Sequence, residues 1–205
     1  VFDKAGKPLT PPEGITFGGR LGLMQGIIAT PSGDVWALGV DKRQLVHFPG
    51  GDPAKGELVC EGDSAEPCKS FSSPFHLGID QQDRIWVTNA AADHVVRFPA
   101  SDPSKVERFK TGCSGAGLGI DSQGNVWVTN RFGSSLRGAA KLIELGLVEK
   151  TGGNLDEKLT RTMFSQRGGD DGASVSLLRP AGGEYPGSPF PGGGLPGAWA
   201  AAVDG

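Results

Sequence analysis

The sequence is poor in the residues that most often announce chemistry: it has three His, three Cys, one Tyr and two Met in 205 residues. Stretches of about 18 apolar residues are missing, so nothing in the chain reads as a membrane span. An excess of one charge is missing as well. Twenty Lys and Arg face 23 Asp and Glu, mixed along the chain, for a net charge of −3. That balance argues against nucleic acid as the main partner. The chain starts at Val1 with neither Met nor a signal peptide, which reads as a mature product or a portion of a longer protein.

Glycine and proline are plentiful, at 34 and 15, and they fall between β-rich segments as turn residues should. The organising phrase is Gly119-Ile120-Asp121-Ser122-Gln123-Gly124-Asn125-Val126-Trp127-Val128-Thr129-Asn130. It predicts strand, tight turn, strand: Asp121 caps the turn, Gly124 takes positive φ, and Val126 to Thr129 is β-branched and aromatic. Residues 78–89 repeat the phrase with Asp83 in the glycine slot, and residues 28–37 are a looser copy with Thr30 and Gly33. The partial calcium-loop look of 121–125 lacks further acidic ligands and a closing Glu, so it reads as a turn.

Trp36, Trp86 and Trp127 recur at blade-like intervals and read as blade-to-blade core, with carbohydrate stacking as the alternative. A second repeated phrase, 45–55 against 95–105, supplies a third strand and an Asp-Pro turn. Fourth strands follow near 57–59 and 106–109. One unit is therefore four short antiparallel strands. The fold class expected is all-β: a β-propeller of about four blades' worth of a larger ring. Residues 1–20 close a preceding blade, 21–60 and 69–110 are blades, 114–190 is a blade, and 195–205 open the next. The third blade carries an insertion, 133–172, where Leu136, Ala140, Ile143 and Leu147, then Leu155, Leu159 and Met163, predict a helical hairpin.

Cys60 and Cys68 bracket a polar loop. Either they form a disulfide, placing the protein in an oxidising compartment as a secreted or periplasmic chain, or they are two free thiols. Cys113 reads as a small buried residue. In a propeller the connections alternate between two ends. The turns after first and third strands are short and formulaic here. The elaborate connections lie at the other end, which is therefore the expected working surface. The ligand-binding candidates on it are His76, Asn89, Asn130, Arg131, Lys42 and Arg43. His76 opens an inner strand beside the amides and Arg131, a set suited to an anion or a metal; a packed histidine bonded to the backbone is the alternative. His47 and His94 read as surface residues.

The phrases at 119–130 and 194–205 resemble the NHL-repeat propellers, and within them the bacterial virginiamycin B lyase-like branch. The resemblance spans nearly all of the chain outside the insertion. It implies either binding of a small molecule, glycan or protein without cofactor, or metal-assisted lyase or lactone-hydrolase chemistry. In the second case a divalent metal would be held by His and Glu, with His76 as one ligand.

Overall fold

The computed structural model describes residues 1–112, 114–131, 173–191 and 202. Twelve strands form three four-stranded sheets, each with its strands in chain order. The first holds β1 (Met24–Ala29), β2 (Val35–Gly39), β3 (Gln44–Phe48) and β4 (Glu57–Glu61). The second holds β5 (Pro74–Ile79), β6 (Arg84–Asn89), β7 (His94–Pro99) and β8 (Glu107–Lys110). The third holds β9 (Gly115–Ile120), β10 (Val126–Asn130), β11 (Ser174–Leu178) and β12 (Phe190–Pro191). All pairings are antiparallel. The helical hairpin expected over 133–172 and Cys113 lie outside the described residues.

The repeated phrase forms the β1–β2, β5–β6 and β9–β10 hairpins. Its sixth residue takes positive φ each time: Gly33 at 93°, Asp83 at 55° and Gly124 at 79°. Aspartate is among the few side chains that tolerate this region, which explains how Asp83 stands in for glycine. Asp80 and Asp121 organise their turns in the same way. One carboxylate oxygen of Asp80 accepts from the Gln82 and Arg84 amides, and one of Asp121 accepts from those of Gln123 and Asn125. The other oxygen accepts from the indole N–H six residues further along, Trp86 at 2.8 Å and Trp127 at 3.0 Å.

Hydrophobic side chains pack between sheets. Trp36, Leu38 and Leu45 of the first meet Leu77, Ile85 and Phe98 of the second, while Trp86 and Val95 meet Leu118, Val126 and Leu178 of the third. The inner strands β1, β5 and β9 adjoin one another. Their approach depends on glycine: a Cβ on Gly26 would stand 2.6 Å from Leu77 Cδ2, and one on Gly78 would stand 2.5 Å from Leu118 Cδ2. Thr88 ties the same step with polar contacts, accepting from the His76 amide at 3.0 Å and donating to the Ala116 carbonyl at 2.9 Å.

The first residues share the hydrogen-bond pattern of the third sheet's β11 turn. The bridge Phe2–Pro8 matches Leu178–Glu184. The bonds from Asp3 N to Lys7 O and from Gly6 N to Asp3 O match those from Arg179 N to Gly183 O and from Gly182 N to Arg179 O.

Candidate functional site

The strand order puts Asn89, Asn130 and the start of β5 at one end of the sheets. The chain leaves that end at Arg131 and returns to it at Ala173. The β2–β3 turn and the loop after β4 reach it too. We call this the loop end, and the opposite end, with its short hairpins, the turn end.

His76 sits in β5, half-buried. Its strand and β6 are out of simple register between Pro74 and Leu77, a bulge that re-aims the side chains there. The Leu118 amide of the third sheet donates to His76 Nδ1 at 3.2 Å, so Nδ1 is unprotonated in the neutral ring and the proton lies on Nε2. Burial lowers the imidazole's pKa below the ordinary value. By register, Gly26 in the first sheet and Gly117 in the third occupy the slot of His76.

Asn89 and Asn130 are fully buried at strand ends. Asn89 accepts from the Ser72 amide at 2.8 Å and donates to the His94 carbonyl at 3.3 Å. The Asn130 amide, turned so that both ends are satisfied, donates to the Gly112 carbonyl at 3.1 Å and accepts from the Ser176 amide at 3.2 Å. Both carboxamides thus fasten the loop that leads into an inner strand to the sheet's third strand, β7 for Asn89 and β11 for Asn130. Arg131 is also buried, with a pKa lowered to about 10 by desolvation, and its backbone amide bonds the Ser114 carbonyl at 3.1 Å.

Lys42 and Arg43 are brought together with the cysteine loop. Cys60 and Cys68 are joined in a disulfide, Cα atoms 5.8 Å apart. The Gly62 amide bonds both the Lys42 and Arg43 carbonyls, at 3.0 and 3.2 Å. The Arg43 guanidinium pairs with Asp63 at 3.0 Å, Arg20 pairs with Glu61 at 3.1 Å, and Lys42 Nζ donates to the Arg20 carbonyl at 2.7 Å. Hydrogen bonding to Arg43 holds the Asp63 carboxyl below its usual range. Arg43 has a φ of 49°, a strained backbone position for a long side chain. No three His, Cys, Asp or Glu side chains gather to hold a metal ion among the described residues.

Sequence reasoning misplaced His47. It is not a surface residue: its ring stacks on Trp36 with centroids 4.0 Å apart, and Nδ1 contacts Glu57 Oε1 at 2.9 Å. The signal was available in the register, which sets His47 opposite Trp36 just as Arg97 is set opposite Trp86. His94 is half-buried, its Nδ1 3.8 Å from Asp93 Oδ1.

No family model matches the sequence, and no curated protein matches it. Solved structures do. A structure provisionally described as a gluconolactonase aligns with 81% of this chain and 48% of its own, at 11% identity and a TM-score of 0.51. A streptogramin B lyase aligns with 79% of this chain, at 12% identity and a TM-score of 0.47, and virginiamycin B lyase from Staphylococcus aureus with 79%, at 13% and 0.42. The chain spans 39% of the streptogramin B lyase's length and 54% of the virginiamycin B lyase's. At such identities likeness establishes the fold alone. The protein is an all-β chain of four-stranded antiparallel sheets with the β-propeller fold.

Proposed function

We propose that the loop end is a binding surface for a small molecule, glycan or protein partner, and that the chain works outside the cytoplasm, secreted or periplasmic. The observation that carries this reading is the interlock of the Lys42–Arg43 turn with the disulfide-closed loop. The two segments are held to each other through backbone bonds and an ion pair. Loops fixed before binding lose less entropy when they bind. The disulfide supports an oxidising compartment. Among the described residues no helix is long and apolar enough to cross a membrane.

A glycan and small-molecule array tests this reading with the full chain and with Lys42→Glu/Arg43→Glu. A ligand bound by the first and lost by the second supports it, and ligands indifferent to the reversal count against it. A second reading, a metal-assisted lyase or lactone hydrolase, rests on His76, whose Nε2 is not engaged by the Leu118 contact. Zinc titration decides that residue's part: binding that survives His76→Ala removes it from any metal set.

A further inference from the structure

At the turn end, between the first and second sheets, lies a cavity of about 460 Å³. Its lining includes Thr30, Asp34, Trp36, His47 and Glu57 of the first sheet with Asp83 and Ala100 of the second. That volume is in the range of small-molecule sites.

The next interface, between the second and third sheets, shows what this space holds elsewhere. There Arg84 bonds Asp80 Oδ2 through Nε at 2.8 Å, and Arg97 lies over Trp86 while pairing with Glu107 at 2.6 Å. Both guanidinium groups converge on the Pro180 carbonyl, at 2.8 and 2.9 Å. Two acids balance two arginines.

By strand register, Thr30, Asp34, His47 and Glu57 replace Asp80, Arg84, Arg97 and Glu107 at the first interface, and Ala100 replaces Pro180. Both arginines are gone. Three carboxylates, Asp34, Glu57 and Asp83, now share the cavity with one imidazole.

Thr30 accounts for a second deficit. Its hydroxyl does the turn-organising work of the aspartate, accepting from the Asp34 amide at 3.0 Å. It has no second oxygen for the indole. Trp36 is 2% exposed, lines the cavity, and its Nε1 has no hydrogen-bond partner. A buried donor left without an acceptor is costly, and an acceptor that reaches it is favoured. The neighbouring His47 ring lies between two carboxylates, with Nδ1 2.9 Å from Glu57 Oε1 and Nε2 3.6 Å from Asp34 Oδ2.

We propose that this cavity is a binding site for a small organic cation, a guanidinium or ammonium compound that also carries an oxygen acceptor. The cationic group takes the place of the missing arginines, between the Asp34 and Asp83 carboxylates. Its oxygen accepts from Trp36 Nε1. Free arginine has both groups. The site is at the opposite end from the proposed binding surface, and neither reading depends on the other.

The test is a titration of the ¹⁵N-labelled full chain with L-arginine, following the Trp36 indole N–H, assigned by Trp36→Phe. Saturable shifts with a Kd of about 1 mM or tighter are expected. Citrulline, uncharged and of nearly the same shape, should bind at least tenfold more weakly. The double variant Thr30→Asp/Asp34→Arg rebuilds the Asp80–Arg84 pair in the first sheet and should abolish binding while keeping a dispersed amide spectrum. Should that variant fail to fold, Asp83→Asn, at an exposed turn, provides the second measurement, with an expected loss of threefold or more. An indole resonance that does not move with arginine, moves equally with citrulline, or moves only with a neutral sugar overturns the proposal.

Discussion

Asp80 holds the indole of Trp86 by a 2.8 Å hydrogen bond from Nε1, and this bond joins a turn to the apolar core between sheets. The same carboxylate is 5% exposed and accepts three further bonds. Replacing it with alanine strands the indole donor, the turn amides and a guanidinium at once. Asp80→Ala should therefore cost about 3 kcal/mol or more, read as a shifted urea midpoint with unchanged slope.

Thr88 links two inner strands through one hydroxyl. Thr88→Val keeps the shape and removes both bonds. The expected loss is about 1–2 kcal/mol, measured by the same denaturation.

The Cys60–Cys68 bridge closes a loop with a sequence separation of 8. Loop-closure entropy gives about 2.5 kcal/mol for such a ring. Cys60→Ser/Cys68→Ser, or addition of a reductant, should lower stability by about that amount and weaken binding at the loop end.

His76 predicts a pH dependence. Burial lowers its folded pKa below the unfolded value near 6.5, and burial does the same first and foremost to His94. A depressed pKa means the unfolded chain takes up the proton more readily. The stability these rings contribute is present above about pH 6.5 and is lost as pH falls through that value toward the folded pKa. Protonation of His76 Nδ1 also removes the acceptor of the Leu118 amide. His76→Gln should flatten the fall in stability between about pH 6.5 and 5, checked by urea midpoints across that range.

Much of the architecture was legible because it repeats. Trp36, Trp86 and Trp127 each lie near the start of the second strand of a sheet, and the Asp80 and Asp121 turns come out as the same hydrogen-bonded object. The candidate residues were harder. Asn89 and Asn130 are the last residues of β6 and β10. Their burial, and the backbone groups they bond, depend on loops that arrive from a different part of the sequence, Ser72 and Gly112. The turn-end cavity was present in the sequence only as imperfections in a repeat. Thr30 for aspartate and His47 for arginine each look like drift. Their joint meaning appears only when strand pairing stacks His47 on Trp36, whose indole Thr30 leaves without an acceptor.

Leu77 seated over Gly26, and Leu118 over Gly78, act as spacers between successive sheets. With no side chain beneath it, each leucine lets neighbouring inner strands approach closely. Such wedges fix the angle from one sheet to the next. The two glycines thus gauge curvature, and with it how many sheets complete a circle.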